Sequence, residues 1–342
     1  MNSSDPSRRS KSCPATVQRP EKRRKNLPLA LVIAIDILLI GIGLVVFALF
    51  HHVLPRDIKT SGQILPTATT TSTPISTQTD PTAETTPAET ERGAWGAKFA
   101  DKFTDGAVEK TASTYKSENI NISVSKVRTG DVTYYVADFY LRDLQYLRTA
   151  FAGGNYGHGI SDEVLDMAIE NNAILAITGD YYGIRDHGVV IRNGRLYREN
   201  VYEDVLVIGN DGSMETFTGD EFDIEMIKVN GAWQAWSFGP MLLDNGQPMT
   251  TFNSRVNPRN PRAAIGCFEP GHYCFVLVDG RQPGYSSGMT LTELSGLFYD
   301  LGCKTAYNLD GGQSAVMVFL DAWVNRPYRD GRKVSDIIYI GE

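Results

Sequence analysis

Thr290-Leu-Thr-Glu-Leu-Ser-Gly-Leu-Phe-Tyr-Asp-Leu-Gly-Cys-Lys-Thr-Ala-Tyr-Asn-Leu-Asp-Gly-Gly-Gln-Ser314 reads as a capped helix that runs into a buried strand and ends on glycine-rich backbone. Thr290 and Glu293 have the spacing of a capping box, Met289 and Leu294 that of a hydrophobic staple, and Gly302 stops the helix. Lys304 to Leu309 then reads as one strand and Ala315 to Phe319 as the next. Asp310 therefore lies on the connection, where Gly311 and Gly312 are free to take φ > 0. Amide groups can approach an anion on such backbone.

Upstream, Ile120, Ile122 and Val124 alternate with polar residues, Thr129-Gly-Asp131 supplies a turn, and Val132 to Tyr140 alternates again, which predicts a β-hairpin. Ser161 starts a predicted helix to about Asn171, with acids in its first turn, and Ala173 to Thr178 follows as a buried strand. Asn193-Gly194 and Asn210-Asp-Gly212 each separate two short β-like runs. Several hairpins with two helices and no regular βαβ alternation predict an α+β fold, a mixed, largely antiparallel sheet with a few helices.

The N-terminal part differs from this domain. Residues 1–26 carry eight Lys or Arg against Asp5 and Glu21, a local charge of +6 in a chain of net −7. A basic arm of this kind can bind nucleic acid, but it directly precedes Leu27 to Phe50, an apolar run whose only ionisable residue is Asp36. The expectation is a basic cytoplasmic tail (1–26) and an uncleaved transmembrane signal anchor (27–50), with no nucleic-acid partner. Residues 51–92, rich in Thr, Pro and Ser, read as a disordered stalk, and 93–342 as an extracellular domain held at the cell membrane. Cys267 and Cys274 flank Pro270-Gly271, so a hairpin turning there would set them opposite each other, either as a disulfide or as buried free thiols. No CxxC or HxxxH spacing suggests a metal, and no cofactor is expected.

Three further stretches carry candidate chemistry. Thr178-Gly-Asp-Tyr-Tyr-Gly183 brings Asp180 out at a strand end. Asn260-Pro-Arg262 sets an arginine before an apolar strand, and Val278-Asp-Gly-Arg281 places Asp279 and Arg281 after the next, so both arginines fall at one end of a hairpin. Guanidinium groups suit phosphate because they form paired charge-assisted hydrogen bonds. Taken singly, Asp180 reads equally well as an ordinary turn carboxylate, and the arginines with Asp279 read first as a surface ion pair.

Together they resemble the phosphodiester glycosidase family over roughly Ile120 to Gly341. The resemblance rests on Val136-Ala-Asp138, Ala176 to Gly183, Gly188 to Gly194, Phe238-Gly-Pro240, Asn260 to Gly266, Val278 to Arg281 and Asn308 to Ser314. Two positions depart from the family pattern: Thr178 replaces an asparagine, and Gln313 replaces the third glycine of Asp-Gly-Gly-Gly-Ser. The resemblance implies hydrolysis of the bond between a sugar anomeric carbon and a phosphodiester oxygen. Asp310 and Asp180 would be the catalytic carboxylates. Arg262 and Arg281 would hold phosphate, Asp279 would bind sugar or orient Arg281, and Asn308, Gly311, Gly312 and Ser314 would line the site. A cell-surface or wall polysaccharide is the expected substrate. A non-catalytic module for an anionic surface glycan is the alternative, and a metal-dependent phosphodiesterase, which needs clustered carboxylates and His, ranks behind both.

Overall fold

A computed structural model describes residues 28–48, 62–67, 95–252 and 254–342. The chain divides into two units, Met1–Leu54 and Pro55–Glu342. In the first, Leu29–Ala48 is one α-helix of 20 residues, which at 1.5 Å per residue rises about 30 Å. By the hydropathy criterion no helix among the described residues is long and apolar enough to cross a membrane. The basic tail, residues 1–26, lies outside the described residues.

The second unit is built on three large sheets and a two-stranded ribbon (Leu243–Asp244 with Gln247–Pro248), and every pairing among the described strands is antiparallel. Seven strands lie in the spatial order Thr305–Asn308, Arg262–Glu269, His272–Val278, Val132–Leu141, Ile120–Thr129, Thr114–Lys116, Glu109–Lys110. Five more run Ala322–Trp323, Met317–Phe319, Leu175–Thr178, Asp336–Ile340, Leu147–Phe151. A six-stranded sheet includes Val190–Arg192, Val205–Ile208 and Gln234–Trp236. Alternate residues of all three sheets converge in the main core, where Phe139, Ile265 and Phe275 meet Ile177, Met317 and Ile338 and also Leu206 and Trp236. The α+β class holds, and the sheets are separate layers rather than one.

The capped helix forms over Leu291–Leu301 with both halves of the Thr290/Glu293 box made and Gly302 left-handed at its end. Its Leu291, Leu294 and Phe298 are fully buried on the far face of the seven-stranded sheet, each burial stabilising by about 1.5–3 kcal/mol. The predicted Asn193-Gly194 turn is made, with both residues at positive φ (51° and 75°) joining Val190–Arg192 to Arg195–Arg198.

At four places the structure corrects the sequence reading, adds to it or decides between its alternatives. The helix expected from Ser161 starts at Val164 instead, because Asp162 exchanges both backbone hydrogen bonds with Val334 and is held extended. A helix over Ile224–Asn230, capped by Asp223, was not expected. Cys267 pairs with Tyr273 and Cys274 with Gly266, a stagger that puts the two thiols on opposite faces and excludes their disulfide. All three described cysteines are free and buried, and Cys274 instead faces Cys303 with sulfurs 3.7 Å apart. Finally, within 51–92, Gln63–Ile64 adds an edge strand to Arg195–Arg198, and Leu65 is buried in that sheet's core. Beyond 62–67, residues 51–92 lie outside the described residues.

Candidate active site

Asp310 is carried by the edge strand Thr305–Asn308 of the seven-stranded sheet, and Asp180 by Leu175–Thr178 of the five-stranded one. The two strand ends are stitched by Asp310 N–H donating to Gly179 O at 3.1 Å. Beside this junction opens a cleft of two chambers. A narrow one of about 230 Å³ is lined by Arg262, Arg281, Asn308, Asp310 and Gln313, among others. A wide one of about 790 Å³ includes Tyr181, Arg185, Tyr202 and Phe252. Phe238, Val256, Asp310 and Arg332 line both.

Asp310 is nearly fully buried, and burial raises its carboxyl pKa above the usual range while the Arg332 guanidinium opposes that rise. Arg332 Nη2 donates to Asp310 Oδ2 at 3.1 Å and Nε to Ser314 Oγ at 2.5 Å, so one guanidinium spans both side chains. Sequence reasoning missed Arg332. Its only signal was a Gly-Arg-Lys run in a loop 22 residues beyond Asp310. Gln313, the departure from the family pattern, donates from Nε2 to Gly331 O at 2.7 Å and so fixes the loop that presents Arg332.

The predicted arginines both reach the narrow chamber, but their guanidinium groups are engaged differently. Arg262 is buried, and its Nε and Nη2 donate to the carbonyls of Met289, Val256, Asn257 and Pro258. Burial, with Arg281 nearby, lowers its pKa to about 10. Arg262 thus holds the 256–258 wall and adds positive potential more than it presents a fork. Arg281 is exposed and is held by Asn260 Oδ1, 3.0 Å from Nε and 2.6 Å from Nη2. Beneath it, Pro261 is clasped between glycine backbones. A Cβ at Gly280 would come within 2.7 Å of Pro261 N, and one at Gly311 within 2.7 Å of Pro261 O.

Two predicted carboxylates lie outside the cleft. Asp180 is buried, accepting from Tyr181 N–H, Arg185 Nη2 at 2.8 Å and Ser237 N–H, with Arg192 3.7 Å away. Burial favours its neutral form, yet Arg185 and Arg192 outweigh this and lower its pKa. Arg192 also pairs with Asp336, which burial pushes up to about 6 and which accepts from Asp180 N–H. Asp180 therefore anchors a four-residue ionic network and holds Arg185 at the wide chamber. Asp279 accepts from Tyr285 OH, Asn325 Nδ2 and Arg326 N–H, and does not orient Arg281.

The expected amide cradle is largely closed, since Asp310, Gly312 and Ser314 donate to the carbonyls of Gly179, Pro261 and Gly311. Gly312 takes the expected positive φ (62°), whereas Gly311 does not. Asn308 lines the narrow chamber with its amide fixed by Nδ2 donating to Gly239 O, and its buried Oδ1 has no partner. That oxygen is set to accept from a ligand hydroxyl or N–H. Among the described residues no group of three or more His, Cys, Asp and Glu is placed to hold a metal ion.

Comparison with known proteins agrees with this geometry. The model of the phosphodiester glycosidase family matches residues 171–341, half of the chain. A curated relative, the SPbeta prophage-derived uncharacterized protein YomE of Bacillus subtilis (strain 168), is 31% identical over 202 residues. That match covers 54% of this chain but only 30% of the relative, so the chain spans under a third of that protein's length. Among solved structures, the zebrafish N-acetylglucosamine-1-phosphodiester alpha-N-acetylglucosaminidase catalytic domain, described as auto-inhibited by pro-peptide, superposes with a TM-score of 0.54 at 21% identity. It covers 70% of this chain and 86% of that one. A hypothetical protein from Synechocystis superposes at 0.51 with 14% identity over 69% and 64%. At these identities the superpositions speak for the fold alone. The family match, with Asp310 and its arginines gathered on that fold, shows that the chain belongs to the phosphodiester glycosidase family.

Proposed function

We propose that this chain hydrolyses the glycosidic bond of a sugar-1-phosphodiester in the Asp310 cleft. The observation that carries the reading is that Asp310, a buried carboxylate, lines both chambers together with Arg332 and shares the narrow one with Arg262 and Arg281. The departing phosphate monoester is a weak base and needs charge stabilisation more than a strong general acid. One carboxylate and several guanidinium groups therefore suffice. Asp310 attacks the anomeric carbon or activates water, Arg281 and Arg332 take the phosphate, and Asn308 Oδ1 accepts from a sugar hydroxyl.

The test is release of sugar from a GlcNAc phosphodiester. Asp310→Asn is expected to lower kcat by about 10²–10⁴-fold with little change in KM. Binding without turnover, unaffected by Asp310→Asn, would point to the glycan-binding module instead.

The substrate we favour is a glycosyl phosphodiester of a surface or wall polymer. Support comes from the +6 segment followed by the 20-residue helix, which together suit a single-pass anchor with a cytoplasmic N-terminus. Protease treatment of intact cells that degrades the C-terminal unit while sparing an N-terminal tag is the outcome expected for that topology.

A further inference from the structure

Next to the narrow chamber lies a second cleft, of about 530 Å³, that the reaction at Asp310 does not use. Arg281 lines both. The second cleft adds Arg326 and Arg329, with Tyr285, Tyr328 and Trp323 as its aromatic faces. Arg326 stacks over Tyr285 at 5.2 Å, while Arg281 and Arg329 lie over Tyr328 at 5.6 and 5.2 Å. None of the three pairs with a carboxylate in an ion pair among the described residues. Asp330 is the lone acid on the rim, so the cleft is strongly positive. Stacking on a ring leaves the edge of a guanidinium, where its N–H donors lie, to meet an anion, and this holds for Arg326 and Arg329, whereas Arg281 spends Nε and Nη2 on Asn260. Arg281, Arg329 and Asp330 reach these positions through left-handed backbone (φ 56°, 52° and 59°) that such residues rarely adopt. Within the second cleft, Gln282 Nε2 donates to Arg326 O at 2.8 Å and ties its two walls together.

We propose that this cleft is a leaving-group subsite that binds the next phosphodiester of a polymeric substrate. The direction follows from the proposed chemistry, on which this inference rests. With the anomeric carbon at Asp310 and its phosphate at Arg281, whatever lies beyond Arg281 belongs to the departing chain. An anionic repeat there meets Arg326 and Arg329, and the exposed Trp323 ring accepts a sugar or polyol between charges.

The experiment compares two substrates, a methyl GlcNAc-1-phosphodiester and the same unit extended through its aglycone by a short poly(glycerol phosphate) tail, with the full chain. For the wild type, the extended substrate is expected to have the lower KM, with a steeper rise in KM as salt increases. In Arg326→Ala/Arg329→Ala the ratio of kcat/KM, extended over short, falls at least tenfold through KM, and the salt dependence flattens. The Arg326→Lys/Arg329→Lys protein recovers much of the salt dependence. An unchanged ratio in an alanine variant whose thermal melting matches the wild type overturns the subsite. Calorimetric binding of free poly(glycerol phosphate) separates the two readings. Binding that needs Arg326 and Arg329, without turnover of either substrate, supports the subsite while the hydrolytic reading fails. No binding by the wild type overturns the subsite even if the short substrate is cleaved.

Discussion

Asp310 and Asp180 sit at neighbouring strand ends, yet their surroundings give them opposite tasks. Asp310 has a pKa raised by burial, so as pH falls it protonates before an ordinary aspartate does, and the reactive carboxylate is lost early. The acid limb of kcat/KM is therefore expected above the ordinary aspartate value of 3.8. Arg332 opposes that rise, so Arg332→Ala should move the limb to still higher pH and raise KM, both readable in one pH series. Asp180 is lowered and fully engaged. Removing it strands Arg185 and Arg192, and Asp180→Ala is expected to cost about 3–5 kcal/mol in chemical denaturation. The sequence could show both carboxylates at glycine-flanked strand ends, because that pattern is local. It could not show which one faces solvent, since this depends on Arg192 and Arg332, distant in the chain. Asn308 was legible only as a neighbour of Asp310; its unpartnered oxygen is a fact of packing.

Elements were most legible where signals are short-range. The Thr290 box, the Gly302 stop and the Asn193-Gly194 turn all depend on residues within a few positions, and all formed as expected. Thr290→Ala should lower stability by about 0.5–2 kcal/mol, measured by urea unfolding, without altering catalysis. Signals failed where a distant segment competed. Ser161 lost its helix start to the Asp162–Val334 bridge, whose partners are far apart in the chain. Of the two readings of the cysteines, the buried free thiols hold, and the disulfide misses by one residue of register, because strand periodicity makes a single step reverse the face.

At the scale of the whole molecule, composition separated the N-terminal segments from the rest, but no local pattern announced three antiparallel layers meeting in one core. The edge strand Gln63–Ile64, drawn from a Thr/Pro-rich stretch, was equally hidden, since its only apolar anchor of note is Leu65. Deleting residues 1–54 should leave the melting temperature of the second unit unchanged, whereas deletion through Thr67 should lower it, because Leu65 leaves its pocket. The clasp of Gly280 and Gly311 on Pro261 bears on how such a molecule can change. Where backbone rests on backbone there is no side chain to vary, so the floor beneath Arg281 has almost no mutational freedom. The opposite wall, with Phe252, Arg255 and Val256, is made of side chains. Sequence change in the cleft is thus open chiefly where side chains rather than backbone form its surface, which makes its evolvability as lopsided as its architecture.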